Sequence, residues 1–202
     1  MKLFILTLIL FVGPACICAQ TTGGQQKPKR RTKVETNYNE SKNETQARIG
    51  PFELWKPPQN SVSGEIDYES VDLLVSFSYA GKKIVTPNSV TVVVFSSSQW
   101  GDQFSKRRDL SVSADLRQYN FGEMELLSRR EGHVAGTALG PPNRRLISEV
   151  LRKTIPFDDF KQISQSKKAE IKIGDRKFNL KKEHLEAFKN FVSLMEEEGL
   201  VF

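Results

Sequence analysis

The chain of 202 residues contains very little cysteine, and its two cysteines, Cys16 and Cys18, both lie close to the N-terminus. If that leader is removed, the remaining chain has no thiol. Disulfide bonds, thiolate metal sites and cysteine nucleophiles are then excluded together. A secreted animal domain of this size usually holds disulfides, so a cysteine-free exported chain is more typical of a bacterial periplasm or cell surface.

Histidine is equally scarce, with His133 and His184 as the only two. Neither has a second histidine at ligand spacing and no His-Glu-x-x-His pattern occurs, so the sequence predicts no metal site and no cofactor. We expect His133 in a polar turn and His184 as a partly exposed helix residue. The nucleophile elbow, the phosphate-binding loop and the dinucleotide fingerprint are also missing. The small-residue stretch 136–140 precedes two prolines and is interpreted as a loop.

Long apolar runs are absent except for residues 3–12, which follow a positively charged start. Ten helical residues reach roughly 15 Å, about half of a hydrocarbon core of about 30 Å. A small-residue stretch then ends at Ala19, which is the layout of a secretory signal, and cleavage is predicted between Ala19 and Gln20. No second run of spanning length follows, so the mature form is predicted to have no transmembrane span.

A second interpretation of the leader keeps Cys16 as a lipidated first residue, as in bacterial lipoproteins. The preceding Gly13, Pro14 and Ala15 match that lipidation box incompletely, since a leucine is missing at its start. Cleavage after Ala19 is therefore favoured. Either route predicts an exported protein, either free in the periplasm or secreted space or held at the cell surface.

Positive charge is concentrated outside the predicted folded body. The formal net charge is +6, but residues 20–60 hold eight Lys or Arg against four Asp or Glu, and residues 61–202 hold 21 against 20. Nucleic-acid binders concentrate positive charge on the domain itself. The near-neutral body and the export signal together argue against nucleic acid as a partner.

Residues 20–60 are predicted to be a basic, largely disordered linker, because up to about Ile49 they show no period of 2 or 3.6. Asn39 and Asn43 begin glycosylation sequons, whose use the sequence leaves open. The densest basic run is interpreted as a solvated linker, or as a contact to an anionic lipid or wall surface. Its charged residues are Lys27, Lys29, Arg30, Arg31 and Lys33.

Residues 61–202 have a normal size for a single domain and are predicted to be β-rich. Alternating or β-branched stretches predict strands over 71–79, 90–95, 110–114, 119–121 and 124–128. Residues 146–155 fit neither period well and are interpreted as a strand, with a helix as the alternative. Apolar residues at every third position after Pro156 predict a short helix.

The C-terminal pattern is the clearest in the chain. Alternating apolar residues on both sides of Gly174 and Asp175 predict a β-hairpin with a two-residue turn. A helix is predicted over 181–198, because an apolar stripe recurs at helical spacing. The stripe consists of Leu185, Phe188, Phe191, Val192 and Met195.

Residues 169–195, in the form A-E-I-K-I-G-x-x-x-F-x-L followed by an amphipathic helix, resemble the closing module of small exported bacterial proteins of unassigned function. The likeness spans about a seventh of the chain. Those proteins have no established catalytic residues, so the resemblance implies none here.

Two groups remain as candidates for function. Glu123 and Glu125 would share one strand face, where adjacent acids can act as acid and base, although two glutamates on an exposed strand face are ordinary. Trp100, with nearby Phe104, lies in the loop after a central strand and could stack on a sugar ring or a partner chain. Alternatively, Trp100 caps one end of the core.

The sequence therefore predicts an α+β fold: an antiparallel β-sheet or sandwich with a short helix and a long C-terminal helix packed on it. The favoured function is a non-catalytic exported domain, a tethered binding or structural module of the cell envelope or secreted space. Its expected partner is an envelope component or another exported protein. The alternative is an exported hydrolase using the paired carboxylates, which would need a concave pocket with convergent acids.

Overall fold

The computed structural model describes residues 34–57, 69–104, 106–134 and 144–197. The described strands are β1 (Glu35–Asn39), β2 (Glu44–Trp55), β3 (Ser70–Ala80), β4 (Ser89–Ser98), β5 (Asp109–Ala114), β6 (Arg117–Glu123), β7 (Glu125–Val134), β8 (Arg144–Pro156), β9 (Ala169–Ile173) and β10 (Arg176–Asn179). The described helices are α1 (Phe157–Gln165) and α2 (Lys182–Glu196).

The strands form two antiparallel sheets. The larger sheet has the order β1-β2-β3-β4-β8-β7 and the smaller one has the order β10-β9-β5-β6. The short α1 and the longer C-terminal α2 contact each other and the larger sheet. This sandwich-like α+β architecture confirms the predicted fold class.

Periodicity located most of these elements correctly. Strands β3, β4 and β8, helix α1 after Pro156, and the hairpin of β9 and β10 followed by α2 all form where they were predicted. Strand β4 pairs with β8 along its entire length, from Ser89 opposite Pro156 to Ser98 opposite Ile147. That pairing makes β4 a central strand, as its β-branched composition predicts.

The predicted linker is wrong between Glu35 and Trp55, where β1 and β2 add two strands to the larger sheet. The inward-facing residues of β2 alternate along the strand, but the pairing of β2 with β3 shifts register between Ile49 and Phe52. Gly50 and Pro51 lie at this shift. That slip moves the second half of the strand out of phase with the first, so a search for one continuous period does not detect it. The single domain therefore begins well before residue 61.

The core lies between the inner faces of the two sheets and the two helices. Phe188 of α2 lies 5.3 Å from the ring of Phe52 on β2 and 5.2 Å from that of Phe160 on α1. A small apolar cavity of about 20 Å³ remains beside these rings. It is lined by side chains of both sheets and both helices, including Leu73, Val92, Val112, Ile171 and Phe160. An apolar void of this size stays dry, because a water molecule would find no polar partner there.

His184 is buried, with 4% of its surface exposed, which contradicts the expectation of a partly exposed helix residue. Its Nδ1 atom accepts a hydrogen bond from the backbone nitrogen of Lys181 at the start of α2. Its ring lies 5.1 Å from that of Phe52. Burial is the main reason why the pKa of His184 is lowered. The imidazole therefore acts as a neutral cap inside the core.

Within the described ranges, neither helix has the length and apolar character required to cross a membrane.

Candidate functional site

The two glutamates proposed as a catalytic pair do not share a strand face. Glu123 ends β6 in the smaller sheet, Glu125 begins β7 in the larger sheet, and the buried Met124 separates them. Glu123 is held by Arg108 at 2.6 Å, and Glu125 is held by Arg152 at 2.7 Å. Each carboxylate is thus paired with its own arginine, and the prediction that the two share one strand face is wrong.

The loop that follows β4, residues 99–104, is called here the tryptophan loop. Trp100 in this loop has 77% of its surface exposed, so the alternative that Trp100 caps the core is wrong. Phe104 at its base is 1% exposed and belongs to the core, which excludes Phe104 as a ligand contact. The loop therefore buries one aromatic side chain as its anchor and exposes the other.

A buried carboxylate holds the base of the tryptophan loop. Glu149 on β8 is 2% exposed, and its Oε2 atom accepts hydrogen bonds from the backbone nitrogens of Gln103 (2.8 Å) and Phe104 (3.2 Å). Ser96 on β4 donates to the same oxygen at 3.5 Å. Such charge-assisted bonds are among the stronger ones in proteins, so the loop has a defined conformation before any ligand arrives.

The first half of the loop is fixed by a second chain of hydrogen bonds. Ser98 at the end of β4 donates to Glu69 at 2.9 Å and accepts from the backbone nitrogen of Trp100 at 3.1 Å. The side-chain amide of Gln103 donates to the carbonyl of Ser97 at 2.9 Å. Both ends of the loop are therefore attached to the rigid end of a central strand.

Arg176 attaches the tryptophan loop to the smaller sheet. Its guanidinium lies 4.8 Å from the ring centroid of Trp55 and 5.5 Å from that of Phe178, and it donates to the side-chain oxygen of Gln103. Arginine often stacks on aromatic rings in this way, because the ring face is electron-rich. Arg176 thus links the loop to strands β2 and β10.

A chain of alternating charges runs from the loop onto the neighbouring strands and is called here the charge ladder. Its members are Asp102, Arg129, Glu131 and Arg145. Asp102 lies 2.8 Å from Arg129, Glu131 lies 3.9 Å from Arg129, and Arg145 reaches Glu131 at 2.6 Å. The hydrogen bond from Arg145 is the main reason why the pKa of Glu131 is lowered. The ladder contains two carboxylates and two guanidiniums, so its formal charges sum to zero.

Strand pairing places the charge ladder on the core side of the larger sheet. Arg129 lies opposite Glu149, and Glu131 lies opposite the buried Ile147. Directly opposite residues in antiparallel strands point to the same face. Strand β4 ends at Ser98, opposite Ile147, whereas β7 and β8 continue beyond it. The ion pair between Asp102 and Arg129 thus joins the tryptophan loop to these projecting strands.

Sequence reasoning did not identify Glu149 or the charge ladder. The signal for Glu149 was available, because it occupies an inward position between Ile147 and Leu151 on β8. A charged residue in an apolar alternation indicates a buried carboxylate with specific partners. The partner nitrogens belong to a loop more than forty residues earlier, and only the folded chain brings them together.

His133 is exposed and lies on β7, so the prediction of a polar turn there is wrong. Among the described residues, no group of three or more histidine, cysteine or acidic side chains is arranged to hold a metal ion. Several predictions lie outside the described residues: cleavage between Ala19 and Gln20, lipidation at Cys16, and the loop at 136–140. The same holds for the anionic-surface contact through Lys27, Lys29, Arg30, Arg31 and Lys33.

Comparisons with models of known protein families, with curated proteins and with solved structures found no match to this chain.

Proposed function

We propose that this chain is a non-catalytic exported module that binds its partner through the tryptophan loop. The observation that carries the proposal is the 77% exposure of Trp100 on a loop that is fixed at both ends. A large aromatic ring in water forgoes the favourable free energy of burial, which is recovered when a partner covers it.

The fixed loop also explains why binding could be effective with a single exposed ring. Ordering a flexible loop during binding costs free energy that subtracts from affinity. The hydrogen bonds that the loop backbone donates to Glu149 and Ser98 have already ordered this loop in the folded chain. A partner that covers Trp100 therefore gains contact area without that cost.

Binding through Trp100 is tested by co-sedimentation of the full chain with isolated peptidoglycan, chitin, cellulose and phosphatidylcholine–phosphatidylglycerol vesicles. We expect at least one of these probes to retain the wild type, and Trp100→Ala to lose that retention. Leu116→Ala is the matched control, because Leu116 is fully exposed on the β5–β6 turn and lies outside the tryptophan loop. Equal retention of wild type and Trp100→Ala, or no retention on any probe, would overturn the proposal.

Export is tested separately, by the intact mass of the protein recovered from its native host. A mass that begins at Gln20 in the soluble fraction supports a free exported protein. A mass that begins at Cys16 with added acyl chains, found in membranes, supports export with a lipid anchor and replaces the predicted cleavage site. A mass that still begins at Met1 contradicts export.

A further inference from the structure

We infer that the ligand of the tryptophan loop is a neutral saccharide, whose ring stacks on Trp100 while its hydroxyl groups bind the charge ladder. This inference rests on the proposed function and names the ligand class for the same surface. Three features of that surface support it. They are the balance of its charges, the single exposed apolar side chain of the loop, and the planar shape of its charged groups.

The charge balance argues against a charged ligand. Two carboxylates and two guanidiniums are joined into one alternating chain that begins on the loop, from Asp102 through Arg129 and Glu131 to Arg145. An anionic ligand would have to break these pairs or add repulsion from the two carboxylates, and a cationic ligand would meet the two guanidiniums. A neutral ligand meets neither penalty.

The isolation of Trp100 argues against a protein partner. Interfaces between proteins surround their aromatic anchors with a packed, largely apolar centre. In the described part of the chain, the other exposed large apolar side chains are Val85, Phe95, Leu116 and Leu127. Val85 precedes β4 and Leu116 follows β5, both at the far ends of strands that adjoin the loop, and Phe95 points to the opposite face of the larger sheet. Leu127 lies at the register shift of β7, two residues before Arg129. Within the tryptophan loop, Trp100 is the one large apolar side chain that is exposed, since Phe104 is buried.

The polar groups beside Trp100 have the shape that hydroxyl recognition needs. Carboxylate and guanidinium groups are planar and forked, so each can bind two neighbouring hydroxyls of a sugar at once. Asp102 lies two residues from Trp100 and has 28% of its side chain exposed, and its partner Arg129 has 36% exposed. Both retain open sites for further hydrogen bonds. The face of an indole ring attracts the weakly positive C–H groups of a sugar ring.

The inference is tested by fluorescence, because the chain has only two tryptophans. In full-length Trp55→Phe, Trp100 is the single tryptophan, and phenylalanine keeps a ring beneath Arg176. We titrate this variant with cellotetraose, maltotetraose and chitotetraose as neutral probes, and with tetragalacturonate as an anionic one. We expect at least one neutral tetrasaccharide to shift the Trp100 emission to shorter wavelength in a saturable manner. The same sugar should bind Trp100→Ala at least about tenfold more weakly, as measured by calorimetry.

A charge variant distinguishes recognition from simple stacking. Asp102→Asn removes one negative charge and leaves Arg129 with a neutral acceptor in place of its 2.8 Å carboxylate partner. If the charge balance selects neutral ligands, Asp102→Asn should bind tetragalacturonate more tightly, relative to the best neutral sugar, by a factor of about three or more. An unchanged ratio would contradict the assigned role of the ladder.

The outcomes separate the ligand class from the proposed function. If no neutral tetrasaccharide shifts the emission up to 10 mM, or if tetragalacturonate binds the wild-type loop more tightly, the saccharide inference is overturned. Trp100-dependent retention on vesicles in the same preparation would then leave the binding module intact with a membrane as its partner. Saccharide binding that Trp100→Ala does not weaken would overturn both.

Discussion

The Oε2 atom of Glu149 lies 2.8 Å from the backbone nitrogen of Gln103, so a carboxylate inside the sheet holds the loop that exposes Trp100. The other oxygen, Oε1, has no hydrogen-bond partner within the described ranges. A buried carboxylate of this kind is costly unless its bonds are maintained. Glu149 therefore couples the stability of the domain to the conformation of its candidate binding loop.

Replacing Glu149 with alanine should destabilise the domain and release the loop. Each of the two backbone N–H groups left without an acceptor costs roughly 1–3 kcal/mol. We expect a lower free energy of unfolding in urea and faster acrylamide quenching of Trp100 in the Trp55→Phe background. Thr154→Ala, at an exposed position on the same strand, should change the stability by less than about 0.5 kcal/mol. If acrylamide quenches Trp100 at the same rate with and without Glu149→Ala, other contacts are sufficient to hold the loop.

Two glycines with positive φ separate backbone strain from steric overlap. Gly81 has a φ of 79° and open space around it, whereas a Cβ at Gly174, with a φ of 56°, would overlap the carbonyl of Arg107. Gly81→Ala should cost only the strain of a left-handed residue, about 1–2 kcal/mol. Gly174→Ala should cost clearly more in the same urea unfolding experiment. Equal losses of stability in the two variants would mean that the backbone near Arg107 moves to accommodate the added Cβ at no cost in free energy.

Truncating Phe188 should remove the central contact between both helices and the larger sheet. Its ring packs between Phe52 and Phe160 and is 2% exposed. Phe188→Ala should lower the free energy of unfolding by roughly 3–5 kcal/mol, because it leaves a cavity beside the one already present. Lys189→Ala, exposed on the next position of α2, serves as the control and should be nearly neutral. A loss below about 1 kcal/mol would contradict this packing.

The buried His184 should make the domain less stable in acid. Burial lowers its pKa below the ordinary value of 6.5, and the unfolded chain keeps that ordinary value. Between these two values the unfolded state binds a proton that the folded state does not, so stability falls as the pH drops below about 6.5. The nearby Glu183 opposes the shift and Lys181 adds to it, but burial is the larger cause.

His184→Gln isolates this contribution, because glutamine keeps an acceptor for the start of α2 but does not titrate. The wild type should lose more stability than His184→Gln between pH 7 and pH 5, measured by urea unfolding at both values. Parallel losses in the two proteins would assign the acid sensitivity to other groups.

The predicted and observed structures agree where one period runs through a whole element. The stripe from Leu185 to Met195 and the hairpin around Gly174 are patterns of this kind. Prediction failed at β2, where the register shift after Ile49 interrupts the alternation. It failed again at Glu123 and Glu125, because adjacent acids can belong to different sheets when the chain turns at a buried residue such as Met124.

The candidate site was likewise predicted from the sequence only in part. The sequence was enough to single out Trp100, because this tryptophan directly follows a strongly apolar predicted strand. Whether that ring was buried or exposed depended on which side of the loop the core occupies, and the fold placed Phe104 inside and Trp100 outside.

Local periodicity and turn residues set the helices, the hairpin and most strands of this protein, because they depend on interactions between near neighbours in the chain. The loop anchor at Glu149, the ladder from Asp102 to Arg145 and the stacking of Arg176 on Trp55 depend on contacts between distant segments. Such contacts arise only when the whole chain folds, and no local pattern specifies which distant residues will then meet.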